Sequence, residues 1–266
     1  MFEFDELVLD TPALTMRYHL APWDSPTVGG SVAVIAALEL RDAVEALNDF
    51  GHFQHWCHAH SVVLVTCKLP HARLLESGFL ESRGFRFIEL NYRPELAHLQ
   101  EAGLESPGHF SIEQARPEDE GAIASIAGVI FDAGRFHRDP WIDPRVGDSR
   151  YCRWVANAFQ NPRQVVLKCH RGSGIEGFFV VEAPSVNSRF WSLVGLAPGL
   201  RGSGLGTSVW RAMLRWHQME GVDHVSTSIS SLNVAVFNLY VKLGFRFPPP
   251  VLTMHWCPLG RIEAPS

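Results

Sequence analysis

The turn Arg201-Gly202-Ser203-Gly204-Leu205-Gly206 constrains this chain more than any other stretch. An alternating apolar run, Arg189 to Leu196, leads into it. A helical pattern from Gly204 to Glu220 follows, with Val209, Met213 and Trp216 on one face. Glycines between a strand and a helix let the chain turn tightly and bring backbone N–H groups close to an anion. The positive end of the helix dipole points at the same place. Such a strand–loop–helix suits a phosphate group. It lacks the Gly-Lys-Ser/Thr of a nucleoside-triphosphate loop. The alternation of Gly202, Gly204 and Gly206, with no early βαβ unit around it, also departs from the dinucleotide fingerprint.

The polar stretch Gln100 to Gly108 contains Gly and Pro and reads as a linker. It divides the chain into residues 1–105 and 109–266. In the second part, Phe110 to Glu113 alternates as a strand, and Arg116-Pro117-Glu118-Asp119 opens a helix bearing Ile123, Ile126 and Ile130. A second helix is expected around Tyr151 to Phe159. Two apolar runs flank Arg171-Gly172-Ser173-Gly174 and read as a hairpin. Then come a strand at Val225 to Ile229, a helix at Asn233 to Leu243 and a last strand at Val251 to Trp256. This order predicts a mixed α/β sheet.

Composition excludes several classes. The 266 residues carry a net charge of −5, so no basic field attracts a nucleic-acid backbone. The longest clean apolar run, Val32 to Leu38, is far short of the roughly 20 residues of a membrane span. The acidic start lacks the basic opening of a signal peptide, and the five cysteines are odd in number and scattered. A cytoplasmic protein without disulfides is expected. The cluster His52, His55, Cys57, His58 and His60 lies in one short segment and reads as a histidine-rich surface element, so no metal is expected.

About 30 residues beyond the glycine loop stands Asn233-Val234-Ala235-Val236-Phe237-Asn238-Leu239-Tyr240-Val241-Lys242-Leu243-Gly244-Phe245. The two motifs together resemble the pyrophosphate loop and the Asn…Leu-Tyr-x-x-x-Gly-Phe motif of the GNAT superfamily of N-acetyltransferases. The resemblance covers roughly His109 to Trp256. It implies an α/β fold with a mostly antiparallel mixed sheet flanked by helices, and acetyl-CoA as co-substrate. It further implies that the backbone of Val194, Gly195 and Leu196 pairs with the pantetheine arm. The amides of Arg201, Gly202, Ser203, Gly204, Leu205, Gly206 and Thr207 would cradle the pyrophosphate, and Asn233 would touch the cofactor side. Tyr240 stands at the family's general-acid position. A phenol with a pKa of about 10 can protonate a departing thiolate within hydrogen-bond reach. No base is assigned. Glu182, Ser192 and Ser228 are candidates, and a water chain serves equally.

The first part echoes the second. Gly84-Phe85-Arg86-Phe87 recurs as Gly244-Phe245-Arg246-Phe247, 160 residues on. At that offset Leu80 stands for Tyr240 and Arg73 for Asn233, and no glycine loop precedes them. The expectation is a degenerate N-terminal half-GNAT domain beside a catalytic one. Within the superfamily this arrangement, and the segment from Arg135 to Ala158, are similar to the dTDP-fucosamine acetyltransferases. The resemblance implies a small amine acceptor, plausibly a nucleotide-linked amino sugar, gripped by Arg135, His137 and Trp141. Other readings are acetylation of an aminoglycoside, an amino acid or a protein N-terminus, or a non-catalytic CoA-binding scaffold. A homodimer is compatible with the sequence.

Overall fold

The computed structural model describes residues 5–104, 108, 110–131, 134–172, 174–200 and 202–264. From the N-terminus run β1 (Leu7–Asp10), β2 (Leu14–Leu20), α1 (Ser25–Val28), β3 (Ser31–Leu40), α2 (Ala46–Ala59), β4 (Val62–Pro70), α3 (Leu74–Ser82) and β5 (Arg86–Tyr92). Then follow β6 (Glu95–Leu96), β7 (Ser111–Gln114), α4 (Glu120–Ile130), α5 (Arg135–Arg138), α6 (Pro144–Gln160), β8 (Gln164–Arg171), β9 (Gly174–Ser185) and β10 (Ser188–Leu196). The chain ends with α7 (Gly206–Met219), β11 (His224–Thr227), β12 (Ile229–Ser230), α8 (Val234–Lys242) and β13 (Val251–Trp256). Among the described residues, no helix is long and apolar enough to cross a membrane.

These elements form two largely antiparallel sheets flanked by helices. The chain gathers into two compact units that are not simply its two halves. The first comprises Met1–Asn91, Ala133–Arg150 and Pro249–Ser266, the second Tyr92–Asp132 and Tyr151–Pro248. Glu105 and His109, the boundaries expected from the linker, lie outside the described residues.

The first unit contains the strand order β1-β2-β3-β4-β13-β5. Its β3 and β4 are parallel because α2 carries the chain across between them. The stripe Ala46, Phe50, Phe53 and Cys57 turns one face of α2 onto the sheet. The last strand of the chain closes this sheet. β13 runs antiparallel to both β4 and β5, and Met254 meets Cys67 on one side and Phe87 on the other. Its sequence foretold a strand, but a period of two says nothing about which partner a strand takes.

The second unit has the order β6-β11-β10-β9-β8-β7. Cores pack on both faces of its sheet. One gathers Phe179, Trp191, Val209, Met213 and Tyr240, the other Ile123, Ala127, Val155, Phe178 and Val180. α6 begins at Pro144, seven residues before the apolar pattern that foretold it. Proline's fixed φ suits a helix start, and a polar first turn hides from a periodicity argument.

The internal echo is larger than its four-residue signature. Shifting α2 by 160 residues gives the bounds of α7, and the same shift takes α3 onto α8. Even the residues preceding the second pair agree: Arg73 has φ −81° and ψ 64°, Asn233 φ −83° and ψ 66°.

Each unit buries a neutral histidine. In the first, His255 Nδ1 donates to Asp139 Oδ2 at 2.9 Å, both side chains being fully buried. In the second, Trp191 Nε1 donates to His217 Nε2 at 3.1 Å, so the ring proton sits on Nδ1 and donates to Glu220 Oε2 at 3.1 Å. Burial drives both imidazoles down to about 4, against the pull of their acidic partners. Unfolded, each would bind a proton near 6.5. Stability is therefore fully present above about pH 6.5 and is lost as pH falls from there toward about 4. Urea titrations at fixed pH are expected to show a plateau above neutrality and a steady decline below it. A flat profile down to pH 4.5 would contradict this assignment.

Candidate functional site

β10 is the strand around which the second unit is organised. It pairs antiparallel with β9 as far as Leu196↔Gly177. Its parallel pairing with β11 runs only from Ser188↔His224 to Trp191↔Thr227. Because β11 ends at Thr227, the two strands part there, and the described structure puts no strand beside Ser192 to Leu196 on that side. The parting coincides with a register shift in β10 between Trp191 and Leu193. Thr227 Oγ1 donates to the Trp191 carbonyl at 2.8 Å and ties the vertex of this fork. The free edge of β10 offers backbone groups that an extended polar chain can pair with, as an added strand would. Val194 and Leu196 are half-buried along it, and Gly195 is buried between them. A Cβ at Gly195 would lie 2.3 Å from Ile130 Cδ1 and 2.6 Å from Phe178 Cε1, so this position has no room for a side chain.

The glycine loop sits between this edge and α7. Gly202 and Gly204 have φ of 74° and 78°, the left-handed region that glycine enters without strain. Both are exposed, as is Ser203, while Leu205, Gly206 and Thr207 are half-buried. Arg201 lies outside the described residues. Ser203 N–H is taken by Leu200 O at 3.3 Å and Leu205 N–H by Ser203 Oγ at 3.3 Å. The N–H groups of Gly202, Gly204, Gly206 and Thr207 have no acceptor among the described residues. A helix start with unused amides and nothing within 4 Å of a Cβ built at Gly202 or Gly204 is an open anion seat. These residues fit a pyrophosphate.

The first unit shows the same helix start closed. In place of residues 202–206 stand Asp42-Ala43-Val44-Glu45-Ala46, preceding α2. Asp42 Oδ1 accepts from Val44 N at 2.8 Å and Glu45 N at 3.0 Å. Those two hydrogen bonds hold the Asp42 carboxyl below the usual carboxylate range. The chain supplies its own anion where the second unit leaves the amides open. Sequence reasoning noted the missing glycines but not the carboxylate, although the 160-residue offset aligns Asp42 with Gly202.

Tyr240 lies in α8 and is 1% exposed. Burial pushes its hydroxyl up to about 12, while its polar neighbours Trp210 and Thr227 pull the other way without prevailing. Thr227 is the last paired residue of β11, so the phenol belongs to the vertex of the fork. It stays protonated throughout the physiological range, as a proton donor must. Asn233 precedes α8, and its Oδ1 accepts from Val236 N at 3.2 Å. That oxygen is engaged in capping the helix. Glu182, one base candidate, accepts from Gln164 Nε2 at 2.7 Å.

The residues expected to grip an acceptor belong to the first unit, through its segment Ala133–Arg150. Arg135 reaches Asp24 at 3.4 Å, and Arg150 reaches the same carboxylate at 2.8 Å. Burial alone would raise Asp24, yet the two guanidiniums hold it below the usual range. Phe136 packs under both, 5.0 Å and 4.9 Å from their guanidinium carbons. His137 Nε2 meets Asp148 at 3.0 Å. Trp141 is 42% exposed, with the Arg86 guanidinium 4.7 Å from its ring centroid. Arg135 and His137 are thus engaged in anchoring this segment, and Trp141 is the one of the three that presents a broad surface to solvent.

Two glycines separate packing from binding. Gly195→Ala is expected to lower unfolding stability by about 1–3 kcal/mol through overpacking. Gly204→Glu meets open space and carries only the strain of a left-handed residue, roughly 1–2 kcal/mol. Urea denaturation of both variants checks the contrast. A Gly195→Ala protein as stable as the wild type would contradict the close packing at β10.

The fold has relatives. The Acetyltransferase (GNAT) family matches residues 132–245. Among curated proteins, none matches the sequence. A tandem GNAT protein from the clavulanic acid biosynthesis pathway aligns over 96% of this chain and 80% of its own, with a TM-score of 0.59 and 14% identity. A GCN5-related N-acetyltransferase from Sphaerobacter thermophilus aligns over 94% of this chain and 82% of its own, at TM-score 0.65 and 12% identity. A conserved protein of unknown function from Staphylococcus epidermidis aligns over 96% and 95%, at TM-score 0.66 and 12% identity. With its forked central strand, glycine-led helix and repeated helix pair, this chain has a tandem GNAT-type fold.

Proposed function

We propose that this protein is an acetyl-CoA-dependent N-acetyltransferase acting on the primary amine of a small molecule. The observation that carries the proposal is the open anion seat at the start of α7 beside the unpaired edge of β10. Acetyl-CoA would supply an acyl thioester, from which an amine displaces the thiolate. The free amides of Gly202, Gly204, Gly206 and Thr207 would hold its pyrophosphate, and the free edge of Val194 to Leu196 would pair with the amides of its pantetheine arm. Holding two reactants in one geometry supplies much of the rate in such a transfer. Tyr240, buried and protonated, would give its hydroxyl proton to the departing sulfur. The acceptor amine must arrive unprotonated, and water is the simplest base. A nucleotide-linked amino sugar is the first acceptor to try, on the sequence resemblance of the segment from Arg135 to Ala158.

The proposal requires one acetyl-CoA per chain. Asp42 closes the first unit's seat, so calorimetry is expected to give a stoichiometry near one, with binding lost in Gly204→Glu. Tyr240→Phe should bind acetyl-CoA as the wild type does, while its turnover of a confirmed acceptor, followed by thiol release, falls about a hundredfold. Unchanged turnover would remove Tyr240 from the chemistry, and no binding to the wild type would remove the cofactor assignment.

A further inference from the structure

The vertex of the fork is lined with large rings. Tyr240 lies against Phe245, Trp210 and Trp191, with ring centroids 4.7, 6.3 and 6.5 Å away. Phe179 packs behind both tryptophans, at 5.1 Å from Trp191 and 5.5 Å from Trp210. Trp191 and Phe179 are fully buried and Trp210 is 4% exposed. On the remaining side stands Thr227, itself 3% exposed and tied to the Trp191 carbonyl.

The two tryptophans are held differently. The Trp191 indole donates to buried His217, and His217 is fixed in turn by Glu220. It cannot swing aside without breaking that bond in a dry core. The Trp210 indole N–H is buried and meets only the Tyr240 hydroxyl, in a contact short of a well-formed hydrogen bond, so packing is its main hold. Trp210 is therefore the wall that a substitution can remove.

Resting on the proposed acetyl-CoA reading, we propose that Trp210 limits the transferred acyl group to short chains. If the Tyr240 hydroxyl serves the sulfur, the acyl carbon bonded to that sulfur lies among the hydroxyl's own neighbours. Those neighbours are Trp210 and Thr227, with Trp191 behind. Interiors packed this way accept a methyl group far more readily than a run of added methylenes.

The test is binding and needs no acceptor. Calorimetry with free CoA, acetyl-CoA and hexanoyl-CoA is run on the wild type, Trp210→Ala and Trp210→Leu. The two variants guard against one failing to fold. Free CoA and acetyl-CoA are expected to bind the wild type alike, and hexanoyl-CoA at least about tenfold more weakly. In either folded variant the hexanoyl penalty should shrink to about threefold or less. Hexanoyl-CoA binding the wild type as tightly as acetyl-CoA overturns the proposal, and so does a penalty that persists in the variants. Failure of free CoA to bind the wild type instead overturns the reading on which the proposal rests.

Discussion

The proposed site rests on where two parallel strands stop pairing. β10 and β11 share hydrogen bonds only as far as Trp191↔Thr227. Beyond that rung, β10 keeps its neighbour on one side and exposes its backbone on the other. A strand edge inside a protein carries donors and acceptors that need partners. Here the edge runs toward a helix start whose amides are open. An elongated ligand with amides along its length and phosphates at its end satisfies both features together. Trp191, at the vertex, is pinned to α7 through His217, so the strand and the helix that form the seat are tied by a buried hydrogen bond.

The tandem arrangement provides an internal comparison. The two units share the helix pair at a fixed offset, and they share even the backbone angles that precede α3 and α8. What differs is chemistry at a few positions. Leu80 replaces Tyr240, Arg73 replaces Asn233, and a carboxylate at Asp42 occupies amides that remain open beside Gly202 and Gly204. The first unit incorporates the segment Ala133–Arg150 through the Asp24 pairs with Arg135 and Arg150 and the Asp139–His255 contact.

The glycine loop was legible because positive φ leaves an imprint in residue type. Few residues other than glycine tolerate the angles found at 202 and 204. The α8 motif was legible through its family resemblance, and the last strand through its apolar pattern. The partners of β13 were not, because strand pairing is a long-range choice that the local pattern does not encode. Arg135 and His137 looked like ligand-binding residues because a free arginine suits phosphate. Their actual partners include Asp24, 111 residues away from Arg135. The fork itself left no mark in composition, since Ser192 to Leu196 reads like any other strand.

The most direct test of the account is amide hydrogen exchange with and without saturating acetyl-CoA. The account predicts slowed exchange along residues 194–196 and at Gly202, Gly204, Gly206 and Thr207, and no change at residues 42–46, where the Asp42 carboxylate already holds the Val44 and Glu45 amides. Protection at 42–46, or none along β10 and the glycine loop, would contradict it.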